Sequence, residues 1–195
     1  MTELPIVRSF SDDHGIEIVF YEWPVANAKA VVQLSHGLGE HARRYDHVAA
    51  ALNRAGYAVY ADDHRGHGQT GVKMQAAGQS KSQGNLGAGG MVATFEAVRQ
   101  LSHIIRAEHP TLKLTLLGHS WGSMIAQNLI NKYSTEYDAL VLSGSAVLLP
   151  GLLPNGGDNS EWDKLPGSTG KEWLSRDVEV GRAFNADPLN FPETA

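Results

Sequence analysis

Gly118-His119-Ser120-Trp121-Gly122 is the segment whose residue types and spacing point most directly to chemistry. An apolar strand pattern over 112–117 runs into it, and a helical pattern over 123–132 leaves it. A serine in that context, with glycines two residues before and after, fits a tight strand-to-helix turn that lifts the hydroxyl above the sheet edge. Gly118 and Gly122 remove bulk that would collide with neighbouring chain, and His119 completes the turn. The helix N-terminus behind Ser120 favours negative charge. The chemistry implied is nucleophilic attack by Ser120 on an acyl carbon. G-x-S-x-G fixes only three residues and recurs by chance, so the flanking strand and helix carry the reading.

His36-Gly37-Leu38-Gly39-Glu40-His41 follows another short β-branched run, 30–34. A glycine-rich loop there can aim a backbone N–H at a developing oxyanion, and the second donor is the N–H after the nucleophile. That makes the main chains of Leu38 and Trp121 the candidate donors, with His36 and Gly37 shaping the loop. Taken alone, the loop is a plain glycine turn; its pairing with the Ser120 turn gives it a role. A third loop, Asp62-Asp63-His64-Arg65-Gly66-His67-Gly68, brings the histidines of the two loops to four. His64 and His67 are three apart, as in some zinc sites, but nothing completes a ligand set, so no metal is expected. Asp, Arg and His here read as hydrogen-bonding support for loop backbone, and Asp62 lies on the wrong side of Ser120 in chain order to be its acid.

The elements that must position these loops follow a βα rhythm. Two short strands span 6–22 around the polar turn Ser11-Asp12-Asp13-His14-Gly15, the second alternating imperfectly over 16–21. Helices are expected over 43–54, ended by Gly56, and from Met91 through Ile105, where apolar residues recur on one 3.6-period face. Strands are expected at 57–60, 112–117 and 139–142, and the stretch 69–90 reads as polar and irregular. Strands apolar throughout, alternating with amphipathic helices, mean a mostly parallel sheet covered on both faces, with an antiparallel hairpin at its N-terminal edge. From Gly144 the rhythm breaks at Pro150, Pro154 and Pro166, leaving one helix expected near 175–184. The division expected is a core over 1–143 and a separate excursion over 144–195.

Composition narrows the classes. The 195 residues include no Cys, which removes disulfides and Cys-ligated metal sites. Sixteen basic against 21 acidic residues, without a basic cluster, leave no stripe for nucleic acid. Met1-Thr2-Glu3-Leu4-Pro5 is not a signal peptide, and no run approaches the roughly 20 apolar residues of a membrane span. The expected setting is cytoplasmic, no cofactor is called for, and no motif specifies an oligomeric state.

HGLGEH at 36–41, DHRGHG at 63–68 and GHSWG at 118–122 together resemble the monoacylglycerol lipase and lysophospholipase group of serine α/β-hydrolases. Leu174-Ser175-Arg176-Asp177 and Asp187-Pro188-Leu189 resemble a stretch of that group's cap, so the likeness runs over essentially all of 6–195. The resemblance implies an α/β-hydrolase core, a partial cap, Ser120 as nucleophile, and the Leu38 and Trp121 amides as oxyanion hole. The substrate implied is a carboxylic ester of a single fatty acyl chain. Two departures stand out. The group often carries a smaller or unbranched residue such as Met after the nucleophile, where this chain has Trp121, whose ring would reshape the pocket. The group's catalytic Asp and His lie downstream of the cap, and two of its later strands have no counterpart here.

All nine histidines precede Ser120. A serine hydroxyl needs a base held by an acid, and neither is evident after the nucleophile. The expectation is therefore most of a hydrolase rather than all of one: the remainder lies outside this chain, or the gene itself is shortened. The alternatives are a small-ester esterase or acyltransferase of the same fold, and a non-catalytic binding protein. Leu148, Leu149, Leu152 and Leu153 read either as cap packing or as a greasy mouth that admits an acyl chain or touches a membrane surface transiently. The 195-residue chain alone is expected to hydrolyse esters very slowly or not at all and, with the strand edge after 139–142 bare, to self-associate. An ester assay paired with intact-mass measurement checks this. Robust turnover by a chain of that mass, abolished by Ser120→Ala, is the contrary result.

Overall fold

The computed structural model describes residues 4–146 and 165–191. Six strands, β1 (Ile6–Ser11), β2 (Glu17–Trp23), β3 (Ala30–Ser35), β4 (Tyr57–Asp62), β5 (Leu114–His119) and β6 (Ala139–Ser143), form one sheet. Its order is β1-β2-β4-β3-β5-β6. β2 pairs antiparallel with both β1 and β4, while β3–β4, β3–β5 and β5–β6 are parallel. The expected N-terminal hairpin is thus the antiparallel edge of a parallel sheet. β2 alternates poorly because both of its faces are covered: Ile18 and Phe20 are buried on one face, Val19 and Tyr21 on the other.

Helices α1 (Asp46–Arg54), α2 (Gly68–Ala76), α3 (Gly90–Glu108) and α4 (Trp121–Tyr133) follow β3, β4 and β5, and α5 (Val178–Ala186) stands alone near the end. On one face Val98, Leu101 and Ile105 of α3 and Ile125 and Leu129 of α4 bury Val31, Tyr60, Leu114 and Leu116. On the other, Ala49 of α1 closes over Val32, Leu34, Val59 and Ala61. Both faces are therefore dry, which is why these strands carry apolar residues continuously.

Three local readings are corrected. The helix expected from 43 begins as a 3-10 turn, Ala42–Tyr45, and becomes α-helical only at Asp46. The stretch expected to be irregular contains α2. Its glycines disguised it, yet a Cβ on Gly71 would stand 2.6 Å from the Gly66 carbonyl oxygen, so close approach rather than helix propensity selects that residue. The helix expected from 123 starts at Trp121, the residue directly after the turn. The leucines at 148, 149, 152 and 153 lie outside the described residues. Among the described residues β6 is an edge strand, with Val141 and Leu142 45% and 40% exposed, and no helix is long and apolar enough to cross a membrane.

The loops leaving β3 and β4 interlock. Buried Asp63 accepts from the Ala42 N–H (2.9 Å), the Gln69 N–H (2.7 Å) and the Tyr21 hydroxyl (3.0 Å), binding three elements with one carboxylate. The support role expected of this loop is met by that residue. Beside it the His36 and His64 rings stack at 3.9 Å, and His67 lies 5.4 Å from His36. Burial, reinforced by His64 and His67, drives His36 well below the ordinary histidine range, and burial brings His67 down to about 3. A histidine held neutral in the fold but free to protonate when unfolded supports folding fully above about pH 6.5 and loses that support as pH falls toward the folded value. For His67 the loss between pH 7.5 and 5.5 is on the order of 1 kcal/mol. Denaturant midpoints at those two pH values should therefore differ, and His67→Phe should shrink the difference by about that amount. An unchanged difference would place the acid sensitivity elsewhere.

Candidate active site

β5 delivers the chain to Ser120 and α4 takes it away, with φ 50° and ψ −121° at the serine. A left-handed φ at a non-glycine residue carries strain of order 1–3 kcal/mol and must be imposed from outside. Three hydrogen bonds impose it. The Ser120 N–H donates to the Ser143 carbonyl at 2.9 Å, and the Ser120 carbonyl accepts from the Ser123 N–H at 2.9 Å and its hydroxyl at 2.6 Å. A Cβ on Gly118 would lie 2.5 Å from the Gly122 oxygen, and one on Gly122 would lie 2.1 Å from the Ser35 oxygen. Both glycines are thus required by backbone approaching backbone. His119 turns its Nδ1 to the Ser143 hydroxyl at 3.2 Å, away from the serine side chain.

The loop 36–41 faces this turn: a Cβ on Gly37 would stand 3.3 Å from the Ser120 Cβ. His36, neutral by burial, has Nδ1 2.7 Å from the Gly37 carbonyl oxygen, while its Nε2 accepts the His64 N–H at 3.0 Å. Since Nε2 is an acceptor, Nδ1 carries the proton and donates. A trans peptide sets its N–H opposite its C=O, so holding the Gly37 carbonyl aims the Leu38 N–H the other way. No acceptor among the described residues takes that N–H. The Gly37 N–H is committed elsewhere, to Glu40 Oε1 at 2.6 Å. Trp121 opens α4, so the helix ladder supplies no acceptor for its N–H. Its ring is buried, stacked on His67 at 5.0 Å and edge-on to His64 at 5.5 Å.

The arrangement brings Ser120, Gly118, Gly122, Gly37 and the Leu38 loop together, with His36 fixing the loop from behind and Trp121 following the serine. A nucleophile beside uncommitted amides can attack a carbonyl and hold the resulting oxyanion. Among the described residues, no histidine hydrogen-bonds the Ser120 hydroxyl, and no group of three or more His, Asp and Glu residues could hold a metal. Sequence reasoning missed Glu40, whose buried carboxylate also takes the Tyr45 hydroxyl (2.5 Å) and the Arg44 guanidinium (2.5 Å). The i+4 and i+5 spacing of Arg44 and Tyr45 was its signal. It also missed the chain Asp62···His64···Ser35, at 2.7 and 3.0 Å, which has the order of a catalytic triad but is fully buried and ends on Ser35.

The chain is 38% identical over 202 residues to a monoacylglycerol lipase of Mycolicibacterium smegmatis, covering 93% of this chain and 64% of that protein. It is 32% identical over 133 residues to the monoglyceride lipase of Rattus norvegicus, covering 66% of this chain and 39% of the relative. The chain thus spans less than two thirds of the length of these relatives. A thermostable carboxyl esterase from Bacillus coagulans, solved with glycerol, superposes with a TM-score of 0.77 at 29% identity, covering 97% of this chain and 67% of that one. The fold is that of the α/β-hydrolases. The family model described as "Serine aminopeptidase, S33" matches residues 26–195, and the chain belongs to that family of hydrolases.

Proposed function

We propose that this chain carries the nucleophile and oxyanion hole of a serine hydrolase that cleaves carboxylic esters of monoacyl lipids, of the monoacylglycerol or lysophospholipid type. The observation that carries the reading is Ser120 held at φ 50° at the start of α4, facing a loop whose Leu38 N–H is left without an acceptor among the described residues. The Ser120 oxygen attacks the ester carbonyl, its proton passing to a base, and the oxyanion settles on the Leu38 and Trp121 N–H groups. The carbon–oxygen bond to the alcohol then breaks, and the protonated alcohol leaves an acyl-enzyme that water hydrolyses. The base and its acid are assigned to sequence downstream of this chain. Residues 144–195 are taken as a partial cap over a core of 1–143, in a cytoplasmic protein that touches membrane surfaces only transiently.

The monoacyl substrate rests on the names of the lipase relatives. The likeness to a carboxyl esterase favours, as a second reading, an esterase of small esters. A fluorophosphonate probe applied to the intact gene product that carries this chain should label Ser120, and Ser120→Ala should abolish labelling and lower kcat/KM by about 10⁴-fold or more. Across p-nitrophenyl esters, octanoate or longer should exceed acetate by at least about tenfold in kcat/KM, the separation a few buried methylenes supply. A preference for acetate would select the small-ester reading, and absence of both labelling and turnover would leave a binding protein.

A further inference from the structure

Beyond α5, residues Asp187 to Phe191 run back across the loops that face Ser120. Asp187 Oδ2 meets His41 Nε2 at 2.8 Å, with the histidine side chain 5% exposed. The other carboxylate oxygen, Oδ1, accepts the Leu189 N–H at 2.9 Å, which sets the turn. The Phe191 N–H then donates to the Gly39 carbonyl at 2.9 Å. The Phe191 ring is buried 4.8 Å from that of His67 and lies over Gly84, where a Cβ would meet it at 2.9 Å. Gln83 donates to the Pro188 carbonyl at 3.0 Å, and the Arg44 guanidinium sits 4.8 Å above the Phe184 ring.

These contacts fall on either side of one peptide. The Gly37–Leu38 unit is held by His36 from within the core. The next carbonyl but one, that of Gly39, is held by Phe191, and His41 just beyond it by Asp187. Gly39 itself is at φ 75°, a conformation that confers no rigidity of its own on glycine. The direction of the Leu38 N–H is thus set from two sides, one of which is a segment nearly 150 residues away in sequence.

We propose that Asp187 and Phe191 form a strap that fixes the loop 36–41 against Ser120, with Asp187 a positioning residue for the Leu38 oxyanion donor. This rests on the ester-hydrolase reading above. A donor displaced by about an ångström loses most of its preference for the transition state while substrate binding survives. The strap should therefore act on kcat and leave KM alone.

The test uses the intact gene product and two readouts, ester kinetics and amide hydrogen exchange. In Asp187→Leu, exchange over 36–41 should accelerate at least about tenfold. In the same variant kcat should fall about 10- to 100-fold with KM changed less than about threefold. Asp187→Asn keeps an oxygen that can accept from the His41 Nε2–H and should rescue most of both losses. Should Asp187→Leu not fold, His41→Leu breaks the same bond from the other side and carries the same expectation. Unchanged exchange overturns the strap whatever the kinetics. Faster exchange with unchanged kcat, or a rise in KM alone, overturns the positioning role. Wild-type protein without ester turnover, together with faster exchange in the variant, would instead sink the ester-hydrolase reading and leave the strap standing.

Discussion

A helix that begins where a strand ends must lie almost on top of the neighbouring strand, and in this protein the distance is set by one absent side chain. A Cβ on Gly122 would stand 2.1 Å from the carbonyl oxygen of Ser35, at the end of β3. That approach of α4 to β3 brings Ser120 opposite Gly37 and forces the left-handed turn that exposes the serine. The register of β3 and β5, with Ser35 opposite Gly118, places the two loops at the same edge of the sheet. Everything the site can do follows from this proximity. Strain at Ser120 is offset by the Ser143 and Ser123 hydrogen bonds and by the burial of Ile125 and Leu129 behind it.

Around that approach the interior is polar but dry. Asp62, Asp63, His36, His64, His67 and Arg65 are all buried within the loops after β3 and β4. Groups of this kind are tolerated only where their partners are supplied, and most are: Asp63 has three donors, and His36 and His64 each use both ring nitrogens. His36 is neutral in consequence, because a proton added to it would displace the His64 N–H from its Nε2. A rigid, hydrogen-bonded platform under the loop 36–41 is what lets one side chain dictate the direction of one peptide.

The βα rhythm, the hairpin edge and the turn at Ser120 were legible because each rests on local periodicity or on short-range sterics. Alternation failed in β2 for a reason the residue pattern could not show: layers packed on both sides of the sheet bury both of its faces. α2 was hidden because glycine reads as a helix breaker, whereas Gly71 is there to let Gly66 come close. The 3-10 turn at Ala42–Tyr45 was likewise invisible, since Glu40, Arg44 and Tyr45 form a contact set that only exists once Gly37 needs its N–H satisfied.

The turn at Ser120, the glycines beside it and the helix that follows were determined by sequence alone, because turn, close approach and helix start all act within a few residues. Only the tertiary structure decided how the histidines divide their work. Nothing in the spacing of His36, His41, His64 and His67 distinguishes a ring that orients a carbonyl from one that pairs with Asp187 or stacks on Trp121. Those roles depend on which side chains arrive from distant strands and from the segment after α5. Long-range packing chooses among chemically identical residues, and local pattern carries no record of that choice.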